Sequence, residues 1–167
     1  TKCNEDNLEL SNGIKINHSF IIFTGGIEAS TITSDLDVEK NGRGQILVNE
    51  YLQAQGHENI FAVGDVAEIK NKKGEIMPPN VTVARISGTC AGKNILKHIN
   101  KKKLIACDPK LEGILIALGG KYAAGNLYDM LHVEGRLAYE IKKYVFSSYR
   151  KPLLKIIKAG YKKLKKL

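Results

Sequence analysis

The sequence is poor in the residues that staple small folds or hold metals. Its three cysteines, Cys3, Cys90 and Cys107, lie far apart and form no CxxC pair. That spacing argues against a disulfide framework, a redox dithiol or a zinc site, and makes a reducing compartment the default. The four histidines, His18, His57, His98 and His132, show neither HxxxH nor HExxH spacing, so no metal site is expected. No apolar run approaches the ~18 residues of a membrane-spanning helix. The chain opens TKCNED, without a starting methionine, a charged leader or a signal-like apolar stretch, and so reads as a piece of something longer.

Acidic residues are missing where basic ones gather. The net charge is +9, yet residues 151–167 hold seven lysines and no acid, so this end supplies +7 and the rest is close to neutral. A basic end, as opposed to a basic face with interleaved aromatics, does not fit a nucleic-acid partner. The length of 167 residues and 43% hydrophobic content suit a globular protein with a respectable core.

What is present is a series of short apolar runs closed by turn residues. Residues 8–11 and 14–16 alternate around Asn12 and Gly13, both able to take positive φ, which predicts a hairpin. SFIIF at 19–23 reads as a strand closed by Thr24, Gly25 and Gly26. Residues 46–48 read as another strand, entered through NGRG, and residues 59–63 as a third that stops on Gly64 and Asp65. AEIKNKKGEIMPPN at 67–80 reads as a loop. Val81, Val83, Ala84, Ile86, Ala91, Ile95 and Ile99 predict a helix over 81–100, with Gly88 and Gly92 expected against a sheet. LEGILIALGGKY at 111–122 predicts strand, Gly-Gly turn, strand. Residues 127–149 carry apolar side chains at helical spacing, and Pro152 is expected to break that helix and open a last one.

Strand, Gly, Asp, then loop and helix is the order a nucleotide site in a parallel sheet requires, because ligands bind beyond the carboxyl ends of the strands. Gly64 would let a ligand approach the backbone, and Asp65 can accept hydrogen bonds from sugar-type hydroxyls. The same order also describes an Asp that merely ends a turn. Thr24 and Gly25 repeat the design more weakly, and a helix starting after Pro78 and Pro79 could aim its amides at an electron-rich ligand atom.

NGIKINHSFIIFTGG, GRGQILVNEYLQAQGHENIFAVGDVAEI and PPNVTVARISGTCAGKNI, in that order and spacing, resemble the flavin-dependent pyridine nucleotide oxidoreductases. Within them the resemblance is best to the type II NADH dehydrogenases, single-chain, non-pumping NADH:quinone oxidoreductases. It is strong over residues 8–100 and looser over 111–167. It implies a partial FAD/NAD(P)-binding (Rossmann-like) α/β fold with a small α+β C-terminal region and a terminal amphipathic helix. Residues 1–26 would end an NAD-binding domain and 27–103 would form the C-terminal segment of an FAD-binding domain. Residues 104–150 would be a strand/helix region and 151–167 a basic amphipathic membrane-surface helix.

The resemblance also places site residues. Thr24 and Gly25 fall where the chain returns from the NAD domain to the FAD domain. Gly64 and Asp65 fall on the second FAD motif, the Asp binding the ribityl chain. Val81, Thr82 and Val83 open the helix that faces the pyrimidine edge of the flavin. The implied cofactor is FAD, the substrate NADH, and the reaction hydride transfer to flavin followed by electron transfer to a quinone-type acceptor. No catalytic acid or base is assigned, since flavin reduction needs positioning more than proton transfer from a side chain.

Two departures qualify this. Where the family carries glutamines around its quinone site, this chain has Val81, Thr82, Ile86 and Ser87, which leaves open a soluble acceptor such as a disulfide, ferredoxin or oxygen. No GxGxxG follows any strand, whereas the family has one such loop for FAD and one for NAD, both earlier in the chain. The resemblance thus implies a carboxy-terminal portion, inactive by itself. The remaining alternative is an inactive scaffold with a membrane-binding tail.

Residues 153–167 can be drawn as a helix. At ideal spacing, Leu153, Leu154, Ile156, Ile157, Gly160, Tyr161, Leu164 and Leu167 fall within an arc of about 160°, with most lysines opposite. An interfacial helix needs this division, with an apolar face in the acyl boundary and cations toward anionic headgroups. The lack of any acid for i,i+4 pairs argues against an ordinary solvated helix. The expected setting is cytoplasmic and peripheral, on the inner face of the cell membrane, with a homodimer allowed.

Overall fold

Asparagine-centred turns, more than long strands, shape the first half of the chain. The computed structural model describes residues 2–22, 24–128 and 130–164, and beyond Lys155 it describes the side chain of Ile157 alone. β1 (Lys2–Cys3), β2 (Asn7–Glu9) and β3 (Lys15–Asn17) form an antiparallel sheet in that order, with Leu8 opposite Ile16. The expected hairpin is present, but of its two turn residues only Gly13 takes positive φ, at 84°. Asn12 contributes through its side chain, whose oxygen accepts from the Ile14 N–H at 3.2 Å.

The same chemistry recurs at NGRGQ (41–45), NEYLQ (49–53) and NKKGE (71–75). Each Asn side-chain oxygen accepts from the backbone N–H two residues on at 2.9 Å and four residues on at 3.0 Å. The fourth residue has positive φ each time: Gly44 at 73°, Leu52 at 70° and Gly74 at 80°. The three segments share little beyond the Asn and a closing Gln or Glu, too little to register as a repeat in the sequence. The first turn feeds β4 (Ile46–Leu47), which pairs in parallel with β5 (Ala67–Glu68).

Two expected strands are not formed. Residues 19–22 join no sheet among the described residues, and Phe20 and Ile22 are 77% and 76% exposed. Phe23, the end of SFIIF, lies outside the described residues. Residues 59–63 make a single bridge, Gln53 to Phe61, with the Ala62 N–H donating to the Leu52 carbonyl. A longer ladder cannot form there, because the facing residues 52–54 are themselves leaving a turn. The expected loop over 67–80 begins with β5 and folds back at Asn71, so that the Met77 N–H reaches the Ile69 carbonyl at 2.8 Å.

The expected helix is α1 (Val81–Ile99), capped by Asn80, whose side chain accepts from the Val83 N–H at 2.9 Å. Its buried face differs from expectation. Val83, Ser87, Ala91 and Asn94 point inward, while Val81, Ile95 and Ile99 are exposed. Gly88 and Gly92 are exposed with open space around them, so neither contacts a sheet among the described residues. Two polar side chains choose the face. Asn94, wholly buried, donates to the carbonyls of Tyr51 (3.0 Å) and Ile105 (2.9 Å) and accepts from the Ile105 N–H (2.9 Å). Val83 and Ala91 pack with Ile46, Leu52, Ala62, Ile69 and Cys107 in the core.

The second half is simpler. β6 (Gly113–Gly119), β7 (Tyr122–Leu127) and β8 (Leu131–Glu134) form an antiparallel meander, the β6–β7 hairpin being the expected one. A Cβ on Gly125 would lie 1.8 Å from the Ile114 carbonyl oxygen, so only glycine permits this strand approach. β8 replaces the first turn of the expected helix. Leu127, Met130 and Leu131 have helical spacing, but a tight turn separates them, with Tyr128 at φ 51° and the Met130 N–H on the Leu127 carbonyl. α2 (Gly135–Leu164) packs on this sheet, where Ala123 and Ala138 are wholly buried.

Pro152 does not break α2, contrary to expectation, and the expected boundary at 150/151 falls inside the helix. The proline removes one intrahelical bond, and Ser148, whose carbonyl loses its partner, is exposed to water that can replace it.

Two predictions follow from these positions. Leu52 stands where the sister turns have glycine, and its left-handed backbone costs about 1–2 kcal/mol. Its side chain is only 1% exposed, and deleting a buried leucine costs about 3–5 kcal/mol. Burial outweighs strain, so Leu52→Gly is expected to destabilise by about 2 kcal/mol or more in urea unfolding; an unchanged or raised midpoint contradicts this. Burial, together with the hydrogen bond and proximity of Cys90, also pushes the Cys107 thiol up from 9.0 to about 12. The folded protein keeps this proton where the unfolded chain releases it, so the stability is intact below pH 9 and lost as pH rises toward 12. Cys107→Ala should flatten that loss in base-titrated unfolding; an unaltered slope would show that the thiol does not drive it.

Candidate functional site

The residues at the end of NIFAVGD fold as a one-turn 3₁₀ segment over Gly64–Val66, entered from an extended Val63. Gly64 takes φ 66°. Its N–H donates to Ser87 Oγ at 3.1 Å, and Ser87 in turn donates to the Ala84 carbonyl at 3.2 Å. A Cβ on Gly64 would lie 3.4 Å from the Ala84 Cβ, so the turn rests directly on the helix. Gln45 Nε2 holds the other side, donating to the Asp65 carbonyl at 3.1 Å. The Gly64 carbonyl in turn accepts from the Ala67 N–H. The Asp65 side chain is exposed and takes no hydrogen bond among the described residues.

Beside it lies the start of α1. Asn80 occupies the Val83 N–H, while the amides of Val81 and Thr82 have no partner among the described residues. These first-turn amides carry the positive end of the helix dipole. A free carboxylate and a positive helix end therefore share one rigid mount.

From this helix start a cavity of about 950 Å³ opens toward α2, bounded by Val81, Ala84, Arg85, Tyr144, Tyr149 and Leu153. A smaller one of about 300 Å³ runs beneath it between α2 and β6, reaching Thr82 and Lys142. Tyr149 divides them. Its hydroxyl lies 3.2 Å from Thr82 Oγ1, and the Arg85 guanidinium sits over its ring, 5.6 Å from the centroid. The Lys142 ammonium donates to the Leu115 carbonyl.

Of the residues expected from the sequence, Gly64, Asp65, Val81, Thr82 and Val83 are brought together where the 3₁₀ segment meets α1. Val83 has its side chain in the core, and its amide serves Asn80. Thr24 and Gly25 lie in an exposed segment without a hydrogen bond among the described residues. Ser87, Gln45, Arg85 and Tyr149 were not expected. Tyr149 does continue the helical series Ile141, Val145, but its pairing with a helix start 67 positions away has no signature in the sequence.

The match to the pyridine nucleotide-disulphide oxidoreductase family covers residues 1–88. The type II NADH:quinone oxidoreductase of Haemophilus influenzae is 28% identical over 166 residues, which cover 96% of this chain and 37% of that protein. The alternative NAD(P)H-ubiquinone oxidoreductase C1 of Arabidopsis thaliana is 31% identical over 108 residues, covering 64% of this chain and 21% of that protein. The sulfide:quinone oxidoreductase structure from Aquifex aeolicus superposes with a TM-score of 0.61 at 19% identity, covering 88% of this chain and 38% of that one. The fold is thus the partial Rossmann-like α/β arrangement expected from the sequence. The chain spans well under half the length of these relatives. The family match, which takes in both Thr24-Gly25 and Gly64-Asp65, settles the classification: this chain belongs to the pyridine nucleotide-disulphide oxidoreductase family.

Proposed function

We propose that the chain is the carboxy-terminal part of an FAD-dependent NADH dehydrogenase that delivers electrons to a quinone-type acceptor. One observation carries this reading: the Gly64–Ser87 hydrogen bond locks the Asp65 turn onto α1, so that a carboxylate and two helix amides, all without a partner among the described residues, belong to one body. That pairing suits a ligand with hydroxyls at one place and an electron-rich ring edge at another. FAD is such a ligand, and when bound it supplies the two-electron relay between NADH and the acceptor.

The residues present fit that group. Asp65 would accept from the ribityl hydroxyls, Gly64 would allow close approach, and the Val81 and Thr82 amides would face the pyrimidine edge. Val83, through Asn80, holds that first turn in shape. Thr24 and Gly25 would line the return from the NAD-binding domain. NADH would be bound by a part of the protein outside this chain, whose phosphate loops are not among these residues.

The 950 Å³ cavity is the acceptor site in this reading. It starts at the same helix end, its size lies within the range of small-molecule pockets, and it is mainly apolar, with Tyr149, Arg85 and Glu112 among its polar groups. Where the family pattern has glutamines, this chain has Ser87, which is buried on Gly64, and Thr82, which is engaged by Tyr149. The names of the Haemophilus and Arabidopsis relatives both specify a quinone acceptor. That supports a quinone over a soluble acceptor.

The distal part of α2 would lie on the inner face of the cell membrane. Leu153, Leu154 and Ile157 are exposed along it, and the rest of the apolar stripe (Ile156, Gly160, Tyr161, Leu164, Leu167) lies outside the described side chains. Among the described residues no helix is long and apolar enough to cross a membrane.

The test uses the protein translated together with its upstream coding sequence. Losing a charge-assisted hydrogen bond costs about 1.5–3 kcal/mol, so Asp65→Ala is expected to weaken FAD retention about ten- to hundredfold while leaving the fold's melting temperature near wild type. Equal flavin content in wild type and variant would remove Asp65 from the site.

A further inference from the structure

Cys90 and Cys107 are 17 positions apart in sequence and adjacent in space. Asn94, one helical turn beyond Cys90, clamps both the N–H and the carbonyl of Ile105, so the segment carrying Cys107 is laid along α1. The Ile105 carbonyl lies 4.0 Å from the Cys90 sulfur, and the Cys107 N–H is fixed at 2.7 Å on the Glu50 carbonyl. The two thiols are free and face the same space beside α1. Both line a cavity of about 270 Å³ that is also bounded by Arg85, Lys93 and Asp108, whose carboxylate accepts from the Lys72 N–H.

We propose that Cys90 and Cys107 form an oxidisable dithiol, which closes to an intramolecular disulfide when a small anionic disulfide of the glutathione class enters this cavity. The pair is asymmetric in a way that orders the steps. Cys90 is half-buried and open to the cavity, whereas Cys107 is buried in the core. The exposed Arg85 and Lys93 side chains draw the anionic oxidant to the accessible thiol. Cys90, as thiolate, attacks one sulfur of the oxidant RSSR, whose S–S bond breaks; the departing RS⁻ takes up the proton that Cys90 released. The Cys107 sulfur then displaces the second RS⁻ from Cys90 and passes its proton to it. Two protein thiols lose two electrons and one RSSR becomes two RSH. The raised Cys107 thiol makes the second step slow at neutral pH and faster as pH rises.

Closing the bond ties the segment after α1 to the helix. That helix carries Arg85, which bounds both this cavity and the larger one above it. The pairing does not depend on the redox reaction proposed for the whole protein.

The test uses these 167 residues with Cys3→Ser, which removes the third thiol of this sequence. After prolonged incubation with oxidised glutathione in mild base, where the second step is faster, both remaining thiols should be unreactive in denaturant. The mass should fall by two hydrogen atoms, a peptide map should join Cys90 to Cys107, and dithiothreitol should reverse all three changes. Two thiols still titratable after unfolding, or a glutathione adduct persisting on Cys90, would overturn the proposal. Adding Cys107→Ser should halt the reaction at the Cys90 adduct. Adding Cys90→Ser should leave Cys107 unmodified in the folded protein; modification of Cys107 there would overturn the order of attack.

Discussion

A single hydrogen bond, from the Gly64 N–H to the buried Ser87 hydroxyl, sets the geometry on which the candidate site depends. Ser87 is wholly buried, and leaving either partner unmatched there costs about 1–3 kcal/mol, so the bond fixes where the turn meets the helix. Asn94, two turns further along the same face, makes three bonds to Tyr51 and Ile105. The apolar residues on that face, Val83 and Ala91, are small and could pack with α1 slid or rotated. The polar pair allows one placement only. The helix is thereby held by its hydrogen bonds as much as by its oil.

That constraint links fold to chemistry. Because the Gly64 turn and the first turn of α1 are bolted together, the Asp65 carboxylate and the free amides of Val81 and Thr82 keep a fixed relation before any ligand arrives. A preorganised site loses less on binding, since its dipoles need no rearrangement. Tyr149 extends the same frame. Through Thr82 and Arg85 it docks α2 against the mouth of the site, so the cavity wall and the amphipathic helix form one surface.

Much of this could be read from residues 59–66 and 80–99. Gly64 and Asp65 stood out because an apolar run stops there on glycine and a charge, and the helix after Pro79 showed in its apolar spacing, although its Asn80 cap did not. The hairpins at Gly13 and Gly119 were legible for the same local reason. The inward face of α1 was not, since hydrophobic periodicity cannot foresee that Ser87 and Asn94 go inside to meet backbone groups. SFIIF read as a strand on its composition, but a strand needs a neighbour, and composition does not supply one. Leu127, Met130 and Leu131 imitated a helix because three residues suffice to imitate its period. Pro152 carried its usual weight as a breaker and was overridden in an exposed stretch of helix. The Cys90–Cys107 pairing was hidden by separation, which measures sequence and not distance.

The central claim is that Gly64, Asp65 and the start of α1 are half of a flavin clamp in an enzyme relaying electrons from NADH to quinone. The most direct measurement is anaerobic spectroscopy of the protein translated through its upstream coding sequence to Leu167. The account predicts one FAD per chain, bleached by NADH and restored by a quinone. A colourless protein that takes up no FAD would contradict it.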